Sequence, residues 1–148
     1  AKNYCHKRYA GHIDKRYGLL ASSKNKELKN YGLRSEFELD IVTWFNGVLG
    51  DKNFSNSLEL VISEFNCQGL EVDMPIIVWG KDLRWYNSTW YPEGKTDIDK
   101  VYRLNSYRVL LTRGRDGFIV FIPPIAEMNI IEKLFKDIGV KELKKTLN

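Results

Sequence analysis

Three arginines, Arg108, Arg113 and Arg115, fall within the thirteen residues Asn105 to Gly117, NSYRVLLTRGRDG, and the apolar run Phe118 to Ile122 follows at once. Tyr107, Val109, Leu110 and Leu111 make the first half of this stretch compatible with an apolar helix, so the guanidinium groups are expected where helix gives way to strand at a sheet edge. That is where an α/β protein meets its ligand. Arginine suits phosphate there, because its planar fork makes bidentate, charge-assisted bonds and stays charged at any relevant pH. Solvated arginines that merely complement a helix dipole are the other reading of the same residues. A second constellation, SEFNCQGLEVD from Ser63 to Asp73, lies between the strand-like runs LELVI and MPIIVWG. Gly69 permits close backbone approach, and Glu71 is an acceptor of the kind that binds ribose in nucleotide sites. Taken alone, Gly-Leu-Glu could be a turn with a capping acid.

The two stretches together resemble motifs V and VI of superfamily 1 helicases. An apolar run followed by Thr-Arg, here Leu110-Leu111-Thr112-Arg113, is the core of motif VI, and a Thr or Ser opening a segment closed by Gly-Leu-Glu is motif V. The chain resembles in particular the DUF2075 family, Schlafen-like ATPases or helicases, through GLLASSKNKEL (Gly18 to Leu28), WFN (Trp44 to Asn46), EFNCQGLEVDMPIIVWGKDLRW (Glu64 to Trp85) and NSYRVLLTRGRDGFIVFIPP (Asn105 to Pro124). This covers nearly everything after Tyr17. The resemblance implies that Arg113 acts as an arginine finger, with Arg115 or Arg108 assisting, that Gln68, Gly69 and Glu71 contact the nucleotide, and that Ser63 touches a nucleic-acid phosphate. It further implies ATP and Mg2+ as cofactors of a full-length protein, with DNA or RNA as partner. An N-terminal RecA-like domain of the parent chain would bring the phosphate loop and the magnesium-binding acid, so this chain alone is expected to bind neither. One position departs from the superfamily pattern: Arg108 stands where an aromatic residue is common.

Length and composition fit one compact domain, since 148 residues with 43% hydrophobic side chains can bury a real core. No apolar run reaches the roughly 18 residues of a membrane span and the start has no signal-peptide pattern, which points to a soluble cytoplasmic protein with no membrane partner. Two cysteines, Cys5 and Cys67, are too few for a disulfide scaffold. Because the sequence opens on Ala1 and carries only the last motifs of a motor, it is expected to be the C-terminal part of a longer protein. Residues 1–34 hold nine Lys or Arg and two acids, leaving −3 for the rest of a chain whose net charge is +4. Tyr4, Tyr9, Tyr17 and Tyr31 interleave with these charges, a combination suited to phosphate contact and base stacking. Residues 1–16 could equally be a mobile, solvated connector to the domain at 17–148.

Several tempting motifs fail on spacing. Glu93-Gly94-Lys95-Thr96 imitates the end of a phosphate loop, but its first glycine would fall at Thr89. Cys5, His6 and His12 lack a fourth metal ligand, and they are expected to be solvated; no metal site is assigned. Asp73 with Lys81 evokes a nuclease, yet the residue two before Lys81 is Trp79 rather than an acid. Ser63 has no histidine downstream to activate it.

Apolar runs at 17–22, 58–62, 75–80 and 118–122 are expected to form parallel strands lying side by side, each separated by enough chain for a crossover. The spacing also predicts a short helix over Lys24–Asn30 ending near Gly32 and a helix over Ile125–Ile138 closed by Gly139. Trp85, Trp90 and Tyr91 belong to a loop or hairpin. The expected architecture is a three-layer α/β domain of the P-loop NTPase kind, RecA-like with a mainly parallel sheet. A non-catalytic module that holds nucleic acid or protein through the basic segment and the Trp-rich loop is the rival reading.

Overall fold

The computed structural model describes residues 1–36 and 39–143, so the last five residues of the expected domain lie outside the described residues. In chain order the elements are α1 (Lys2–Arg8), β1 (Tyr17–Ala21), β2 (Arg34–Ser35), α2 (Ile41–Asn46), β3 (Leu60–Ser63), β4 (Met74–Val78), β5 (Leu83–Tyr86), β6 (Thr89–Pro92), α3 (Asp97–Leu111), β7 (Ile119–Phe121) and α4 (Asn129–Asp137). Five strands form one sheet in the order β2-β3-β1-β4-β7, and every pairing in it is parallel. The expected parallel arrangement of the four apolar runs is therefore found, with the two-residue β2 added at one edge. Strands β5 and β6 make a separate antiparallel hairpin.

Side-chain alternation explains why the sheet is covered on both faces. Leu19, Ala21, Val61, Ile76 and Val78 share one core cluster with Cys5 and Tyr9 of the N-terminal segment. Leu20, Leu60, Ile62 and Ile77 share the opposite cluster with Trp44 of α2 and Leu110 of α3. A strand buried on both faces must be apolar at every position, which is why these segments read as continuous hydrophobic runs. A third cluster, built from Trp79, Leu83, Tyr107, Met128, Ile131 and Phe135, joins the hairpin, α3 and α4. The result is an α/β domain with a parallel sheet between two helical layers.

Residues 1–16 differ from a solvated connector. Cys5 is fully buried, Tyr9 stacks on Tyr17 at 5.5 Å, and Lys15 Nζ lies 2.9 Å from Asp73 Oδ1 and 3.4 Å from Asp116 Oδ2. The expectation that Cys5 is solvated is thus corrected: its apolar neighbours outweigh its sequence position. Among the described residues no three potential ligands gather for a metal ion, and no helix is long and apolar enough to cross a membrane.

Two expected helices are also refined. The Lys24–Asn30 segment forms only a 3-10 turn over Leu28–Tyr31, stopped by Gly32 at φ 70°. The last helix begins with a 3-10 turn at Ala126–Met128 and runs on as α4, with Gly139 at φ 90° just beyond its end.

Burial alone would raise the Asp73 carboxyl, but the Arg16 N–H at 2.8 Å and the Lys15 ammonium hold it below its ordinary value. A carboxyl depressed in the folded state adds stability above its unfolded value of ~3.9, and that stability is lost as pH falls through the folded value. Urea midpoints measured against pH should therefore show Asp73→Asn to be less stable at neutral pH by roughly 1–3 kcal/mol. The same series should show the variant losing less stability than the wild type on acidification.

Candidate functional site

The parallel strands begin at an amino edge and end at a carboxyl edge, and the residues singled out in the sequence divide between them. At the amino edge, just before β4 and β7, Val72 pairs in parallel with Gly114. The Val72 N–H donates to the Arg113 carbonyl at 3.1 Å, the Arg115 N–H donates to the Val72 carbonyl at 3.0 Å, and the Asp116 N–H donates to the Asp73 carbonyl at 2.9 Å. Glu71, Arg113 and Arg115 are thereby carried to one place by two segments about forty residues apart in sequence. Glycine is required at 114, because a Cβ there would lie 1.9 Å from the Gly117 carbonyl oxygen and 2.8 Å from Pro75. This tight turn sets Arg113 and Arg115 on either side of the bridge.

The two arginines differ in what they have left to offer. Arg115 Nε lies 3.3 Å from Glu71 Oε2, and both side chains are more than half exposed. An exposed pair of this kind is worth only about 0–1 kcal/mol, so a ligand can displace it. Arg113 is half-buried, makes no ion pair among the described residues, and its Nε is buried without a hydrogen-bond partner. Its guanidinium lies close to Cys67, whose thiol is pushed up by burial and partly held back by that charge. Arg108 is exposed one turn earlier and donates to Asn105 Oδ1 at 3.0 Å.

Ser63 ends β3 at the opposite, carboxyl edge, so the SEFNCQGLEVD segment crosses the sheet from one edge to the other. Its hydroxyl donates to Asn66 Oδ1 at 2.6 Å and closes a turn. Gly69 then takes φ 78°, a left-handed conformation that other residues adopt only at a cost. Gln68 lies on the wall of a groove of about 770 Å³ at the carboxyl edge, which Glu71 does not line.

That groove lies between α3 and the loops that follow β1, β3 and β6. Beneath it is a polar cluster that sequence reasoning did not find. Arg103, 6% exposed, donates from Nη1 to Ser22 Oγ at 2.6 Å and to Glu64 Oε1 at 3.3 Å. Its Nε lies 3.2 Å from Asp82 Oδ2, near enough for an ion pair but not aligned as a hydrogen bond. Ser22 Oγ donates to Asp82 Oδ2 at 2.5 Å, and Tyr107 donates to Asp82 Oδ1 at 2.8 Å while accepting from the Gly80 N–H. Burial first, and then the Asp82 charge, keep the Tyr107 phenol protonated far above its ordinary value. Glu64 also accepts from the Ser23 N–H, the Ser23 hydroxyl and the Ser106 hydroxyl. The available signal was positional: Ser22, Glu64 and Asp82 each follow closely on an apolar strand, where a parallel sheet presents its carboxyl edge.

Thr96 caps α3 by accepting from the Asp99 N–H, and Asp99 accepts from the Thr96 N–H, so Gly94-Lys95-Thr96 is a helix start without a phosphate loop. Asp73 and Lys81 lie at opposite edges; Lys81 pairs with Glu27 and Glu127.

Arg103→Met should expose the weight of the cluster. With two carboxylates left uncompensated at 5% and 2% exposure, unfolding free energy should fall by about 3–5 kcal/mol in denaturant titrations.

With this geometry in view, the family model described as Schlafen group 3, DNA/RNA helicase domain, matches residues 1–124. No curated protein matches the chain.

Proposed function

The chain belongs to the Schlafen group 3 DNA/RNA helicase-domain family, and from that membership we propose that it is the second RecA-like unit of a superfamily 1 ATPase acting on nucleic acid. Its narrower resemblance to the DUF2075 proteins is part of the same proposal. The observation that supports it best is the Val72–Gly114 bridge, which puts Glu71 beside Arg113 and Arg115 on one sheet edge. Sequence resemblance alone could not have placed them together.

ATP would lie against this amino edge, between it and a first domain bearing the phosphate loop and the magnesium-binding acid, neither of which occurs in this sequence. ATP supplies the phosphoryl group, and this chain's residues orient it and neutralise charge. Arg113, with an unpartnered Nε, is the arginine available to meet charge developing on the γ-phosphoryl oxygens. Glu71 would exchange Arg115 for a ribose hydroxyl, freeing Arg115 to assist at phosphate. The left-handed Gly69 keeps the loop backbone close to the nucleotide, while Ser63, at the other end of the segment, faces the side where nucleic acid would run. Arg108, exposed one turn before Arg113, would be a supporting contact, whereas Gln68 lines the carboxyl-edge groove and its expected nucleotide contact is not part of this proposal.

In a full-length protein joining this domain to its phosphate-loop domain, Arg113→Ala should lower ATP turnover by about 10³ or more while weakening nucleotide binding far less. Arg113→Lys should fail as well, because an ammonium cannot reproduce the fork. Glu71→Ala should act chiefly on nucleotide affinity, by roughly 1–3 kcal/mol. Wild-type turnover by Arg113→Ala would remove the arginine-finger claim and favour a non-catalytic binding module.

A further inference from the structure

We propose that Asp116 is a positioning residue for Arg113, and that Tyr9 and Lys15 act through it, so that the N-terminal segment braces the turn that carries the arginines. The inference rests on the reading above and deepens it, naming what holds the arginine in place for phosphoryl transfer. Gly114 and Gly117 flank Arg115 and Asp116, and Gly117 takes φ 136°. Such a turn has little stiffness of its own. Its place is set by main-chain bonds to Val72 and Asp73 and by what its two side chains can reach.

Those side chains reach unlike partners. Arg115 meets Glu71 in a pair that is more than half exposed, which restrains little. Asp116 Oδ2 instead accepts from the Tyr9 hydroxyl at 3.0 Å and from Lys15 Nζ at 3.4 Å. Tyr9 is a firm anchor. It is 7% exposed and stacks on Tyr17 of β1, and burial pushes its phenol up to about 12, so it remains an O–H donor at neutral pH. Lys15 is shared between two acids. Its ammonium also donates to Asp73 Oδ1 at 2.9 Å, so it ties one carboxylate from each of the two segments joined by the Val72–Gly114 bridge and offsets their mutual repulsion. The main chain around Lys15 is itself fixed, since its carbonyl accepts from Asn56 Nδ2 at 3.0 Å and the next N–H, of Arg16, donates to Asp73 Oδ2. Asp116 lies three residues beyond Arg113, so releasing it frees the arginine turn while Glu71, on the other segment, keeps its place. A displacement of about 1 Å at a reacting centre can cost about 10²-fold in rate.

The test uses the full-length protein and steady-state ATP turnover, with kcat and KM read separately. Asp116→Ala should lower kcat by about 10- to 100-fold while KM for ATP changes by less than about threefold. Tyr9→Phe keeps the ring and its packing and loses only the donor, so it should show the same pattern at about 3- to 10-fold. Asp116→Asn, whose amide oxygen can still accept from Tyr9, should fall between wild type and Asp116→Ala. A double variant separates positioning from stability. In an Arg113→Ala background Asp116→Ala should cost less than about twofold, because it acts through a side chain already removed, whereas losses that multiply overturn the proposal. Should circular dichroism show Asp116→Ala unfolded, the same cycle with Tyr9→Phe decides. Wild-type kcat in both Asp116→Ala and Tyr9→Phe, or a change confined to KM, also overturns it; slow turnover by Arg113→Ala then leaves the proposed function standing. Wild-type turnover by Arg113→Ala overturns both.

Discussion

Arg103 joins three strand ends to one helix, and the positions of both edges follow from it. Glu64 follows β3, Asp82 follows β4, and Ser22 follows β1; the single guanidinium from α3 meets all three inside the protein. Such a cluster is a poor source of net stability, because desolvating two carboxylates and an arginine offsets most of their attraction. Its value lies in specificity. An apolar helix could slide along the apolar face of a sheet by a turn at small cost, but Arg103 finds its partners in only one register. With α3 fixed there, Leu110 enters the core and Arg113 emerges at the amino edge, about 15 Å along the helix at 1.5 Å per residue.

The same helix therefore borders both the carboxyl-edge groove and the Arg113 turn. Tyr102, Arg103 and Ser106 face the groove, and the chain leaving α3 forms the Arg113 turn. The crossing between β3 and β4 borders both too, starting at Ser63 and finishing at Val72 without a helix of its own. A parallel connection this short must be held by local bonds. The Ser63–Asn66 turn, the left-handed Gly69 and the Cys67 side chain buried in the core supply them. Two links, one helical and one looped, thus connect the two edges of the sheet.

Much of the fold was legible because it depends on local apolar content. The central strands β1, β3 and β4 are buried on both faces and so appear in the sequence as unbroken hydrophobic runs, and the edge strand β7 shares the pattern although it is only partly covered. The start of α3 is legible in principle through its Thr96 and Asp99 capping pair, but the same residues also imitate the end of a phosphate loop. The N-terminal segment was misjudged because its charge is local and visible, while the packing of Cys5 and Tyr9 against β1 is not. Glu64, Asp82 and Arg103 resemble ordinary surface charges in a one-dimensional reading. Only the convergence of three strand ends shows that they share one buried space.

The arginines show most clearly where sequence reasoning stops. Arg108, Arg113 and Arg115 are indistinguishable by type and nearly so by spacing, and resemblance favours one without a physical reason. The folded chain gives the three different surroundings. Arg108 turns to solvent with Asn105, Arg115 meets Glu71 in a weak exposed pair, and Arg113 is half-buried with a donor unmet. An unmet buried donor costs roughly 1–3 kcal/mol, a burden the domain carries in isolation. Under the proposed function, negative charge brought up to this edge would meet the remaining, accessible part of the same guanidinium, so the cost of holding Arg113 there would be offset only on binding.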